Sequence, residues 1–247
     1  STKTIKYLSN SCKEYVFEVT WGVHSSTGDL EGEISRIDKK YPSIEKIRKT
    51  CINFIGDYYQ TPHKFSSKKV NGKKAYQFAR KKIHVDLKRE KRKIIDFKII
   101  NQISRSKTLF YINCSSGTYI RSLAEDMAKA LNTFSLVSSL RRVGFGNLDK
   151  KLISLDYLLS LVHIEDLLSI LKPIDKVFKE FNQIHLDMNE VALILNGRPI
   201  KMNEIKNEID VIRGEVTLAK FKNELVAVGY LKDGNFYPKN LLNNFFV

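Results

Sequence analysis

CSSGTYIRSLAEDM, residues Cys114–Met127, is the stretch on which the reading of this chain turns. Thr108–Cys114 reads as a strand, Gly117 and Thr118 lead out of it, and a helix follows at once. From Tyr119 to Leu131 the apolar residues Ile120, Leu123, Ala124, Met127, Ala128 and Leu131 recur at i, i+3, i+4, i+7, i+8 and i+11. That is one continuous stripe, and it predicts a helix buried along one face. Arg121 falls in its first turn, beside the positive end of the macrodipole, where an uncompensated cation is disfavoured by about 0.3–1 kcal/mol. Glu125 lies four residues on, but Arg before Glu is the weaker orientation for such a pair. Two readings stand: a surface pair with Glu125, or a side chain at a strand-to-helix junction reaching for an anion held elsewhere.

Working outward, Tyr15–Val23 places Tyr15, Phe17, Val19 and Trp21 on one face and Val16, Glu18 and Thr20 on the other, the alternation of a strand. Ser43–Ile55 carries Ile44, Ile47, Cys51 and Ile55 at helical spacing behind Pro42, with Ser43 as N-cap and Gly56 as the stop. Gly72 marks a turn, and Lys74–Lys82 reads as helical. Ile94–Ile103 and Thr108–Cys114 form two strands joined at Ser104–Lys107. Leu155–Leu171 predicts a helical region ending before Pro173. Beyond Ile184 the texture changes to strands, Glu215–Phe221, Leu225–Leu231 and Phe236–Leu241, turning at Lys222-Asn223 and Asp233-Gly234. The expected organisation is α+β: residues 1–183 as the main domain, with a basic insertion at about 60–93, and 184–247 as a small β-rich domain.

A chain of 247 residues buries a sizeable core, and 43% hydrophobic with 28% charged residues is ordinary for a globular protein. No apolar run approaches the roughly 20 residues that cross a bilayer, and no signal segment opens the chain. Cys12, Cys51 and Cys114 show no C-x-x-C spacing, and His24, His63, His84, His163 and His185 are scattered. The expectation is a reduced, cytoplasmic protein without metal or membrane. The formal net charge of +15 is concentrated: Lys64–Lys93 holds 13 Lys or Arg against Asp86 and Glu90 alone, a local excess of +11. A solvated helix and loop face is one reading. A surface that tracks phosphates is the reading favoured here, since such a field raises encounter rates with a polyanion.

Gln60–Arg80, QTPHKFSSKKVNGKKAYQFAR, read with the Gly117–Arg121 segment GTYIR, resembles the bacterial TruB family of tRNA pseudouridine-55 synthases. The match in the first stretch runs through Gln60, Pro62, Ser66, Lys69, Gly72, Lys73, Tyr76, Ala79 and Arg80 without a gap, and departs at Thr61 and Lys64, where the family is usually apolar. Weaker landmarks are Leu171, Pro173 and Asp175, then Asn196-Gly197-x-Pro199-Ile200 and Ala227-Val228-Gly229. The last two resemble the family's C-terminal RNA-binding domain, of the PUA type. The resemblance implies the pseudouridine synthase fold, with a mixed, mostly antiparallel central sheet.

It also implies roles. Arg121 would pair with the catalytic aspartate, Tyr119 would line the uracil pocket, and Leu140, in SSLRR, would form its wall. Tyr15, in a K-x-Y context, would stack on the target base and take part in proton removal from C5. Lys69, Lys73, Lys74 and Arg80 would face the RNA. The implied reaction turns uridine 55 of the tRNA T-loop into pseudouridine without cofactor or metal, in a protein expected to act as a monomer. In the family the nucleophilic aspartate lies in a GTLDP-type motif upstream of the segment that Ser1–Tyr15 resembles, and none of these residues carries that motif. The expectation is therefore a chain inactive by itself, with Arg121 lacking its partner. Asp29 matches a different acidic position of the family, and Asp126 lies about 140° from Arg121 around the helix, so neither is nominated as a substitute. The alternative is a non-catalytic tRNA-binding or tRNA-folding protein. Guide-RNA-dependent relatives are a third option, against which the bacterial-type Gln60–Arg80 stretch argues.

If Lys64–Lys93 tracks phosphates, affinity for a T-arm hairpin falls steeply with salt, and each lost contact reduces the log–log slope by about 0.9 on duplex. Neutralising Lys73, Lys74 and Arg80 together flattens the slope. An unchanged slope places the RNA elsewhere.

Overall fold

The computed structural model describes residues 2–8, 11–148, 152–172, 177–178, 181–202, 216–222 and 224–242. The chain divides into two compact units, residues 10–152 and residues 153–247 together with 1–9.

In the first unit the elements run β1 (Lys13–Trp21), β2 (Val23–Ser25), β3 (Ile34–Ile37), α1 (Ile44–Phe54), β4 (Gly56–Gln60), β5 (Lys69–Val70), β6 (Lys73–Lys74), α2 (Ala75–Arg80), β7 (Glu90–Ser104), β8 (Lys107–Cys114), α3 (Ile120–Ala130) and β9 (Ser135–Phe145). Five of the strands form one sheet in the order β4-β7-β8-β1-β9. All its ladders are antiparallel. The mixed character expected of the sheet is confined to one parallel bridge, Asp29 to Val137.

The face of β1 that alternation assigns to Phe17, Val19 and Trp21 is the one covered by α1 and α3, and all three residues are fully buried. Phe110 on β8 lies opposite Phe17 in the ladder. Its ring stacks on Phe17 at 5.2 Å, meets Phe97 at 5.6 Å and takes the edge of Trp21 at 6.2 Å. The Trp21 indole N–H donates to Thr108 Oγ1 at 3.0 Å, which satisfies the one polar atom the ring brings into the core. α1 and α3 pack onto this core through Ile47 and Cys51, and through Ile120, Leu123, Ala124, Met127 and Ala128. The apolar stripe of Tyr119–Leu131 thus becomes the buried face of α3, with Leu131 half-buried at its end. Cys12, Cys51 and Cys114 are all free thiols.

The second unit is built on a sheet of β10 (Asn182–His185), β11 (Ile200–Lys201), β12 (Val216–Phe221), β13 (Glu224–Lys232) and β14 (Asn235–Leu241), in the order β10-β12-β13-β14-β11. The β13–β14 turn falls at Asp233-Gly234, both at positive φ, as the sequence predicts. Pro173, Asp175, Glu215 and Asn223, named in the sequence reading, lie outside the described residues.

The helical region Leu155–Leu171 is two short helices, α4 (Leu155–Ser160) and α5 (Ile164–Ile170). Leu161 and His163 are extended between them, and neither helix buries a residue, so no packed face holds the pair as one rod. The C-terminal unit also contains a helix, α6 (Met188–Leu195), which the sequence reading omits. Asp187 caps it and Glu190 returns the hydrogen bond, a capping box that was legible at three-residue spacing. The compact units divide between residues 152 and 153. Val177, Phe178 and Phe181 pack with Leu218 and Val228 of the C-terminal sheet, and so do Tyr7 and Leu8 of the 3₁₀ turn Thr2–Leu8.

Phe110→Ala removes the ring that three other aromatics share. It is expected to lower stability by about 3–5 kcal/mol, read as a shift of the urea midpoint. A loss below about 1 kcal/mol would mean that the surrounding rings close over the site.

Candidate active site

Arg121 begins α3 and reaches back over two loops. Its Nη1 donates to Asp29 Oδ2 at 2.8 Å and to the Thr27 carbonyl at 3.0 Å, while Nη2 donates to the Phe65 carbonyl at 2.9 Å. Asp29 is held from its other side, where Oδ1 accepts from the Thr27 hydroxyl and from the Glu31 amide at 3.1 Å. The expectation of an unpartnered Arg121 is therefore wrong. Asp29, which the resemblance assigns to an acidic position distinct from the nucleophile, is the carboxylate that meets it, from 92 residues away. Glu125, the surface partner considered earlier, pairs with His63 instead.

Tyr119 precedes α3 in extended backbone and is clamped by Gln60. The Gln60 side chain accepts from the Tyr119 amide at 2.8 Å and donates to the Tyr119 carbonyl at 2.9 Å. Tyr58, two residues back on β4, donates its hydroxyl to Asp126. Asp126 also receives Lys129, so it faces away from Arg121 as the helical angle requires.

His63 is buried and takes both partners in one tautomer. Its Nδ1 accepts the Phe65 amide at 3.2 Å, which places the ring proton on Nε2, facing Glu125 Oε1 at 3.4 Å. Burial works to raise the Glu125 carboxyl pKa, but the hydrogen bond from His63, with the charge of Lys129, outweighs it and holds the group below the usual range. A carboxylate depressed in this way adds stability that is present above its unfolded pKa and lost as pH falls through the folded one. Gly28 packs against the pair. At φ +72°, an added Cβ would stand 3.0 Å from Glu125 Oε1 and 3.1 Å from His63 Nε2. His63 and Gly28 are site neighbours to which sequence reasoning assigned no part, and Glu125 was read only as a surface partner for Arg121. The glycine was the one available signal.

Tyr15 lies on β1 opposite Arg142 of β9, and Leu140 lies opposite Phe17 in the same register. Tyr15 and Leu140 are thus diagonal neighbours across adjacent strands, within reach of long side chains. Leu140 is 48% exposed, which no ordinary core leucine would be. Burial pushes the Tyr15 phenol above its ordinary pKa, Cys114 adds to the rise, and Arg142 opposes it by charge and hydrogen bond. Among the described residues, no hydrogen bond or ion pair joins Tyr15 to Arg121.

Lys69, Lys73 and Lys74 sit on the β5–β6 hairpin, turned by Asn71 and Gly72 at positive φ. Arg80 ends α2. All four side chains are exposed and none enters an ion pair among the described residues, whereas Lys68 and Arg92 are both paired with Glu90. Lys74 and Arg80 instead flank the Tyr76 ring, at 5.7 and 5.3 Å from its centroid. An open groove of about 590 Å³ runs beside the site, with His24, His63, Lys64, Arg89, Glu125 and Asp126 in its walls. Tyr15, Tyr119, Arg121 and Leu140 are not in its walls. Among the described residues, no group of three His, Cys, Asp or Glu is placed to hold a metal ion, and no helix is long and apolar enough to cross a membrane.

Gly28→Ala strains a left-handed backbone and drives a methyl into the His63–Glu125 pair. A loss of about 1 kcal/mol or more in urea unfolding is expected. An unchanged midpoint would show that this loop yields without cost.

Residues 1–120 match the family model described as TruB family pseudouridylate synthase, N-terminal domain. The tRNA pseudouridine synthase B of Sinorhizobium medicae is 33% identical over 251 residues, covering 98% of this chain and 79% of its own. That of Bartonella quintana is 39% identical over 142 residues, covering 58% of this chain and 53% of its own, so this chain spans about half the length of that relative. Among solved structures, one described as a Cbf5-Nop10-Gar1 complex superposes with a TM-score of 0.65 at 19% identity, over 97% of this chain and 69% of the other. A second, an H/ACA RNP bound to a substrate RNA containing 2′-deoxyuridine, gives 0.65 at 18%, over 97% and 68%. These two share the fold. With the Sinorhizobium protein matched along nearly all of this chain, and with the GTYIR segment opening α3 as described, the chain belongs to the TruB family of pseudouridylate synthases.

Proposed function

We propose that this protein serves the isomerisation of uridine 55 in the T-loop of tRNA, through a site formed by Tyr15, Tyr119, Arg121 and Leu140. The observation that carries the reading is Arg121. A guanidinium at a strand-to-helix junction, fixed on three oxygens from two loops, is a prepared electrostatic element rather than a surface charge. The isomerisation breaks the bond between uracil N1 and ribose C1′, turns the base, and joins C5 to C1′. C5 loses its proton, N1 gains one, and the formula is unchanged. The protein's part is to extrude the base, exclude water and hold a carboxylate at the sugar.

Tyr15 acts here as a stacking platform. Its raised pKa takes the phenol further from serving as a base near neutral pH, and base–aromatic stacking returns about 1–3 kcal/mol toward the cost of flipping. Lys69, Lys73, Lys74 and Arg80, in no ion pair among the described residues, supply the phosphate contacts. The C-terminal unit, read as a PUA-type domain, adds a second RNA surface. One observation favours the other reading, a tRNA-binding or tRNA-folding protein: the carboxylate on Arg121 is Asp29, whose oxygens already accept from Thr27, Glu31 and Arg121. Asp29 is a positioning carboxylate in this arrangement and not the nucleophile.

A T-arm hairpin with tritium at C5 of the target uridine separates the two. Protein made from the whole native reading frame is expected to release the label, and Arg121→Ala to lose about 100-fold or more of that rate. Residues 1–247 alone are expected to bind the hairpin and release none, since they lack a GTLDP-type motif. Binding without release by the whole-frame protein establishes the non-catalytic reading. Release by residues 1–247 makes Asp29 the reacting carboxylate.

A further inference from the structure

Gln60 is 1% exposed at the end of β4 and spends both ends of its amide on one backbone residue. Its carbonyl accepts the Tyr119 N–H at 2.8 Å, and its NH₂ donates to the Tyr119 C=O at 2.9 Å and more weakly to the Tyr58 hydroxyl at 3.4 Å. A side-chain amide bound in this way acts as a ladder partner for a residue that belongs to no strand. Tyr119 is the N-cap position of α3 and offers no side-chain cap. Its carbonyl also accepts the Leu123 amide at 3.0 Å, so both lone pairs are committed and the peptide has little freedom to turn.

The contact has company. Three residues on, His63 meets Glu125, and five residues on, the Phe65 carbonyl receives Arg121 Nη2. The short segment 60–65 therefore touches residues 119, 121 and 125, the first two turns of α3 read from one side. His63 ties the segment to itself by accepting the Phe65 amide, one peptide before the Phe65 carbonyl that receives the guanidinium. Two residues of the proposed site, Tyr119 and Arg121, are thus held by the same six-residue brace.

We infer that Gln60 is a positioning residue, which sets the Tyr119 ring for a flipped base by fixing its backbone, and that segment 60–65 orients the site while the basic residues after it bind phosphate. The inference rests on the proposed function and goes further, in assigning a role to a buried amide that touches no substrate. A plain filling role would need only volume, and methionine would supply it. Two hydrogen bonds of ordinary net worth are enough to shift the balance between stacked and extruded base by about tenfold.

The test uses Gln60→Met, which keeps the volume and removes both bonds, and Gln60→Glu, which keeps the acceptor for the Tyr119 amide and loses the donor to its carbonyl. The probe is a T-arm hairpin carrying 5-fluorouridine at the target position, observed by ¹⁹F NMR, with thermal unfolding and exchange of the Tyr119 amide followed in parallel. In the wild-type chain an extruded base gives a second, shifted line. Both variants are expected to bind the hairpin within about twofold of wild type and with the same salt slope, since phosphate contacts are untouched. The shifted line should fall about tenfold in Gln60→Met and about threefold in Gln60→Glu, which keeps one of the two bonds. Tyr119 amide exchange should accelerate in Gln60→Met and remain slow in Gln60→Glu.

A folded variant with the wild-type population of the shifted line overturns the inference. If Gln60→Met does not fold, Gln60→Glu decides alone, and failure of both to fold assigns Gln60 a purely structural role, which also overturns it. A wild-type chain that binds the hairpin yet shows no shifted line overturns the proposed function itself, a result distinct from any difference between variants.

Discussion

The arrangement of the candidate site depends on one guanidinium. Arg121 is only about a quarter exposed, and it sits at the helix end where the macrodipole repels a cation. A partly desolvated charge in that position must be compensated, and three oxygens do so: one carboxylate and two carbonyls, from chain 92, 94 and 56 residues away. Each of those oxygens imposes something on its own loop. Asp29 draws the 25–31 loop against β9, where it makes a parallel bridge to Val137, and Gly28 takes a positive φ where it packs against the His63–Glu125 pair. Phe65 holds the 60–65 segment in place. The local conformation of three separate stretches follows from satisfying one charge.

Beneath the site, the sheet supplies rigidity. Phe17, Phe97, Phe110 and Trp21 form a continuous aromatic layer under β1 and β8, closed by α1 and α3. Tyr15, near the start of β1, packs half-buried against that core, and Leu140, midway along the edge strand β9, is exposed. A strand end beside a packed core is a place where a residue can be fixed and accessible at once. The exposed cations do not share this rigidity requirement. A phosphate-tracking surface needs charge without fixed partners, and the hairpin at Asn71-Gly72 carries its lysines clear of Glu90, which is occupied by Lys68 and Arg92.

Much of the fold was legible because its signals are local. The period of Tyr119–Leu131, the alternation of Tyr15–Trp21, and the turns at Gly72 and Asp233-Gly234 are each set within about a dozen residues, and each element formed where the pattern places it. The capping box at Asp187–Glu190 was equally local and passed unread among the strands of the tail. The helical region Leu155–Leu171 formed as two short helices rather than one. Propensity filled that stretch, but no buried face joined its halves.

By itself the sequence determined the α+β class, the register of the apolar faces, the basic stretch and the family motif around Arg121, since all of these are carried by residue type and spacing along the chain. Only the tertiary structure decided which anion Arg121 meets, that Glu125 belongs to His63, that Gln60 holds Tyr119, and that the compact units part near residue 152. Those facts concern pairs between 59 and 92 residues apart, or packing between distant segments. Nothing in the spacing of a linear chain encodes them. A charge or a buried amide must find partners once it leaves water, and which partners are near enough is settled only when the sheet has brought the loops together.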